Sequence, residues 1–194
     1  MKSKINPEEW KFDENAKSIS YFSIKKPVCV NRELIEELKR ISEENGNVNA
    51  RFCLHNNPDE TLHDMIILEY LNKKCKKPHK HLDKDETLQI IEGEMLVLMF
   101  DKEGNLTHRK ILNRDNFAYR TSRGEYHVWL PTTKYVIYRE IKQGPFKPGD
   151  NIPPKFDHVK VLKENVGSLN LDCYNERCNN PCSRSKLSKT EQII

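Results

Sequence analysis

The stretch Pro78-His79-Lys80-His81-Leu82-Asp83-Lys84-Asp85-Glu86 decides how this chain is read. On an extended backbone residues i and i+2 point to the same face, so His79 and His81 present two imidazoles that can share one ion. The polar run Leu82 to Asp85 predicts a tight turn, which returns the Glu86 carboxylate beside the two rings. Glu86 then opens an apolar strand that ends at Glu92-Gly93-Glu94, a turn into the run EMLVLMF. Much later, Ser122-Arg123-Gly124-Glu125-Tyr126-His127 sets a third histidine just past a glycine turn, at the start of another apolar strand. Three imidazoles and one carboxylate form a mixed nitrogen and oxygen set. It suits a divalent transition metal (Fe, Mn, Ni, Zn or Cu) and matches all-oxygen Mg or Ca sites poorly. Four protein ligands, His79, His81, Glu86 and His127, leave coordination positions for water or substrate. Glu86 is also the candidate catalytic residue, either staying a ligand or leaving the metal to act as base.

Working outward, short β-rich runs recur from Ala50 to Ile141: ARFCL, DMIILEY, ETLQIIEG, EMLVLMF, HRKIL, FAYR, YHVWL and KYVIYREI. Turn residues separate them, and Asp101-Lys102-Glu103-Gly104-Asn105 reads as a hairpin turn. No helical pattern of useful length interrupts the series, which predicts an antiparallel sandwich or barrel of jelly-roll size and argues against βαβ units. Before it, residues 1–30 carry no sustained period. Asn31 reads as the N-cap of a helix with Glu33 in its first turn, an apolar stripe of Leu34, Ile35, Leu38 and Ile41, and Gly46 at its end. After Gly144 the chain turns Pro- and Lys-rich and predicts an extended arm. Residues 160–194 are polar, and a loosely ordered tail is expected there. The expected organisation is an N-terminal arm and helix (1–48), a metal-binding barrel (49–148), and an arm with a cysteine-containing tail (149–194).

Apolar residues make up 36% of the 194-residue chain and charged residues 32%, with a mean hydropathy of −0.81. That balance predicts one compact apolar centre with polar flanks. The 33 basic and 29 acidic residues are interspersed, without the one-sided basic stripe that nucleic acid requires. No window approaches the ~20 apolar residues of a membrane span. No apolar segment follows the basic start MKSKINPEEW, so a cytoplasmic location is the expectation. Six cysteines in a reducing compartment are expected as thiols or metal ligands. Cys29, Cys53 and Cys75 read as small buried residues, and Cys173, Cys178 and Cys182 as spare thiols, their spacing being unlike a zinc finger's. His63, His108 and His158 read as surface or satisfied core histidines.

The ligand pattern resembles the two motifs of the cupin superfamily. His79-x-His81-x4-Glu86-x6-Gly93 matches the first, with Lys73 in place of its leading glycine. Gly124-x2-His127 matches the centre of the second, with Ser122 and Pro131 where proline and asparagine are usual. A closer resemblance spans roughly residues 50–150. Arg51-Phe52-Cys53-Leu54-His55, Met65-Ile66-Ile67-Leu68, Pro78-His79-Lys80-His81, Ile91-Glu92-Gly93, Phe100-Asp101, Tyr119-Arg120 and Glu140 followed by Gly144-Pro145-Phe146 look like the WbuC family of cupin-fold metalloproteins. The resemblance implies a mainly β cupin jelly-roll barrel and a metal site. It also implies a homodimer, and a place in bacterial surface-polysaccharide (O-antigen) biosynthesis. Arg51, Cys53 and His55 alternate onto one face of a strand, which sets Arg51 and His55 at the barrel mouth as candidate substrate-binding groups. Tyr119, Arg120 and Glu140 are further candidates for the pocket rim. The leading expectation is a metal-dependent enzyme acting on a small sugar or sugar-nucleotide metabolite; isomerisation, epimerisation and oxygenation all fit, and the sequence does not choose among them. The alternatives are an Fe(II)-dependent oxygenase, a non-catalytic metal- or ligand-binding module, and a structural role in an assembly.

Overall fold

In the computed structural model, which describes residues 4–71 and 76–166, two short strands form where the sequence shows no period. These are β1 (Trp10–Phe12) and β2 (Ile19–Ser23). Helix α1 (Arg32–Glu44) follows, begun by the Asn31 side chain, which accepts a hydrogen bond from the Leu34 N–H at 2.9 Å. Its stripe buries Ile35 and Leu38 against Phe52, Leu68 and Ile137. Each such side chain stabilises the docking by about 1.5–3 kcal/mol.

Every one of the eight β-rich runs forms a strand: β3 (Ala50–Cys53), β4 (Leu62–Tyr70), β5 (Glu86–Glu92), β6 (Met95–Phe100), β7 (Leu106–Leu112), β8 (Ala118–Thr121), β9 (Tyr126–Pro131) and β10 (Tyr135–Gln143). They build a seven-stranded sheet of order β1-β2-β3-β4-β10-β5-β8 and a three-stranded sheet of order β7-β6-β9. All pairings are antiparallel except β2 with β3. That parallel pair needs a crossover, and α1 supplies it. The two facing sheets make a mainly β barrel of the jelly-roll type that the strand series predicts.

The inner faces meet through Leu88, Ile90, Val136 and Tyr138 on one sheet and Met95, Val97, Met99 and Trp129 on the other. β6 is buried along its whole length because its other face, Leu96, Leu98 and Phe100, is covered as well. The cover is the C-terminal arm and helix α2 (His158–Asn165), whose Leu162 is fully buried there. The sequence reading expects a loosely ordered tail from residue 160, whereas the described part of it, to residue 166, includes most of α2. The apolar outer face of the small sheet is the reason for the difference, since it must be covered and Leu162 and Val166 cover it. Gly93 makes the β5–β6 turn at φ +83°, and a Cβ there would stand 2.5 Å from the Tyr135 carbonyl oxygen. Among the described residues, no helix is long and apolar enough to cross a membrane.

Candidate metal centre

Backbone pairings from several segments bring the four residues together. The His79-Lys80-His81 stretch is not a regular strand. It is a short bridged segment, with His79 facing His127 through paired backbone hydrogen bonds of 3.0 and 2.9 Å. Lys80 bridges Ile152 of the arm in the same way. The Gly124 N–H donates to the His81 carbonyl at 2.6 Å, so the glycine turn before β9 fixes the second histidine as well as the third. Glu86 opens β5, paired with Thr121 on one side and Lys142 on the other.

The structure thus brings His79, His81, Glu86 and His127 together, with one ligand atom from each lying within 4.8 Å of the others. The Nε2 atoms of His81 and His127 stand 3.2 and 3.0 Å from the two Glu86 oxygens. Each imidazole has a backbone carbonyl at its Nδ1: Lys77 for His79 (3.3 Å), Asp150 for His81 (2.9 Å) and Glu125 for His127 (3.0 Å). A carbonyl only accepts, so each Nδ1 carries the hydrogen and each Nε2 of the neutral ring offers a lone pair. The Nε2 atoms of His81 and His127 and Oε2 of Glu86 are buried without a hydrogen-bond partner. Lone pairs facing lone pairs at 3 Å repel unless a proton or a metal ion lies between them. The donor set and its orphaned atoms therefore fit a divalent transition metal.

The electrostatics prepare the same arrangement. Burial works against the Glu86 carboxylate, yet the His127 and His81 rings and the Lys142 ammonium outweigh it and hold the acid far below the usual range. Burial, with His127 alongside, pushes His79 down to about 4, so this ring is neutral and ready to bind near pH 7. His81 is raised: burial lowers it, but Glu86 and the Asp150 carbonyl do more.

Lys142, which the sequence reading does not select, joins the site. Its Nζ lies 3.2 Å from Glu86 Oε1 and 2.7 Å from Glu140 Oε1. Burial disfavours the ammonium, but the two carboxylates keep it charged. The signal was the period-2 alternation of β10, which continues the inner face from Val136 and Tyr138 through Glu140 to Lys142. Glu140 is thereby placed one strand step from the quartet, buried and paired.

The other sequence candidates lie elsewhere. Arg51 is half-buried and donates to the Ser20 hydroxyl at 2.9 Å. His55 is buried, stacked on His63 with ring centres 4.3 Å apart and bonded to the Asp64 backbone. Tyr119 packs on the inner core beside the His108 ring. Arg120 is exposed, bonded to Thr87 and Asp85 on the other side of β8. Among the lone histidines, His63 bonds the Pro58 carbonyl, whereas His158 keeps a buried Nε2 without a partner. Cys53 is buried, as expected, but Cys29 is exposed, because it lies in the loop before α1 and not in a strand. Lys73, Cys75, Cys173, Cys178 and Cys182 lie outside the described residues.

A family model described as a domain of unknown function (DUF6016) matches residues 30–112, less than half of the chain. That stretch includes His79, His81 and Glu86 and ends before His127. No curated protein matches. Similar solved structures include the L-ribose isomerase of Cellulomonas parahominis, 16% identical over 55% of this chain and 69% of that one, TM-score 0.45. The WlaRB TDP-quinovose 3,4-ketoisomerase of Campylobacter jejuni is 12% identical over 54% of this chain and 75% of its own, TM-score 0.41. A Bacillus halodurans protein is 18% identical over 72% of this chain and 95% of its own, TM-score 0.43.

Proposed function

We propose that the protein is a metal-dependent enzyme that acts on a small sugar or sugar-nucleotide metabolite, in bacterial surface-polysaccharide synthesis. The observation that carries the reading is the trio of buried, unpartnered ligand atoms on His81, His127 and Glu86, joined by His79. The sugar class and the pathway rest on the resemblance to WbuC-type cupins. A bound divalent ion supplies Lewis acidity toward a carbonyl or hydroxyl oxygen of the substrate.

The chain's own residues divide the remaining work. His79, His81 and His127 hold their Nε2 lone pairs inward through hydrogen bonds from Nδ1 to the backbone. Glu86 adds the anionic ligand. Lys142 and Glu140 set a cation and a carboxylate on the same inner face, groups suited to hydrogen-bonding substrate hydroxyls and to passing a proton. Isomerisation or epimerisation beside a carbonyl uses this set directly, because it moves a proton and needs no second cofactor.

The test is incubation of the metal-loaded protein in D2O with a panel of free and nucleotide-activated sugars, followed by proton NMR. The reading expects exchange or conversion at the carbon next to a carbonyl, lost in the His79→Ala/His81→Ala variant. No binding and no turnover across the panel contradicts it.

A further inference from the structure

The geometry assigns Lys84 and the arm from Gly144 to Ile152 to the metal centre, as the device that orients His81; this rests on reading the quartet as a metal site. Lys84 sits in the polar turn between His81 and Glu86, where a solvated lysine is expected, yet it is only 5% exposed. A buried ammonium must be paired. It donates to the Pro145 carbonyl at 2.6 Å and forms an ion pair with the Asp150 carboxylate. The same Asp150 carboxylate accepts from the Lys147 N–H at 2.7 Å, which closes the arm into a turn.

The main-chain carbonyl of Asp150 is the acceptor 2.9 Å from His81 Nδ1. Lys84 thus grips both ends of the loop whose backbone sets the tautomer of a ligand three residues before it. The loop is anchored beyond this point too. Ile152 exchanges backbone hydrogen bonds of 3.1 and 3.0 Å with Lys80, between the two histidines. Farther on, the Phe156 ring packs on Phe100 and Tyr126, and Leu162 seals the outer face of the small sheet. On the other side, the Gly144 N–H donates to the Thr61 carbonyl at 2.9 Å.

Lys84 is therefore a positioning residue that acts through the arm. With its cation removed, the Asp150 carbonyl keeps the Lys147 turn and the Ile152 bridge but loses the ion pair that draws it toward the His81–Glu86 turn. The hold on the Nδ1–H tautomer then weakens in favour of Nε2–H, which blocks the ion. Outer partners of metal-binding histidines typically contribute about 10–100-fold in metal affinity.

The experiment compares the full-length protein with Lys84→Met and with Asp150→Asn, a same-size change that keeps the backbone carbonyl. Zn(II) and Co(II) dissociation constants come from competition titration. The His81 tautomer comes from long-range 1H–15N NMR of the metal-free protein at alkaline pH. The expected result is a dissociation constant raised about 10–100-fold in both variants, with the double variant no worse than either. His81 should be an Nδ1–H tautomer in wild type and shift toward Nε2–H in the variants. Wild-type metal affinity and an unchanged tautomer in variants that merely melt earlier would overturn the assignment. A wild-type protein that binds no metal would instead sink the metal reading, and the tautomer measurement would still decide the role of Lys84.

Discussion

The Nζ of Lys142 stands 3.2 Å from Oε1 of Glu86, across neighbouring strands of the barrel's inner face. The Glu86 side chain is 1% exposed and that of Lys142 19%, so solvent does little to screen the pair. Removing one partner of a buried ion pair costs about 3–5 kcal/mol. Lys142→Met leaves Glu86 and Glu140 without their shared cation. Urea denaturation of the metal-free variant should show a loss of that size, and saturating transition metal should restore more stability to it than to wild type. Equal stability of variant and wild type without metal would show that the pair is not buried as described.

Metal binding should release protons in a definite pH window. His79 is already neutral above about 4 and contributes nothing near neutrality. His81 is raised above its ordinary value by Glu86 and the Asp150 carbonyl, against the effect of burial. An incoming ion must displace that proton, so affinity rises with pH through the raised value and release persists above the ordinary histidine value of ~6.5. Calorimetry in buffers of different ionisation enthalpy measures it. The His81→Ala variant should lose the part of the release seen above that value.

The quartet was legible in the sequence because its signals are local. His-x-His needs only an extended backbone, Glu86 needs only the turn before it, and His127 follows a glycine turn. The eight runs of the barrel were legible for the same reason, since alternation and turn residues act over a few positions. What escaped depends on distant partners. The sequence reading selects neither Lys142 nor Lys84, because each is drawn inward by a carboxylate far along the chain, Glu86 and Asp150. β1 and β2 are too short to show a period, and they form by adding to the edge that β3 presents. α2 has one fully buried residue, so its stripe cannot be seen until the outer face of the small sheet is known.

Cysteine reactivity should split sharply between two positions. Burial raises the Cys53 thiol to about 11, leaving little thiolate at neutral pH, whereas Cys29 is exposed. Brief alkylation of the native protein at pH 7.5 with peptide mapping should label Cys29 and spare Cys53. Equal labelling would contradict the packing of Cys53 against Phe22 and Met65.

Gly93→Ala should destabilise the fold by about 1–3 kcal/mol, because it combines a left-handed backbone with a clash. The added carbon meets the Tyr135 carbonyl oxygen at 2.5 Å, backbone that cannot swing aside. Thermal unfolding measures this, and a melting temperature equal to wild type would show that the β5–β6 turn has been misplaced.

The central claim is that His79, His81, Glu86 and His127 hold one transition-metal ion. Elemental analysis of protein purified without added metal, then titrated with Zn(II) and Fe(II), tests it most directly. The account predicts binding that saturates close to one ion per chain and is abolished in His79→Ala/His81→Ala. No binding by wild type, or the same binding by the double variant, would contradict it.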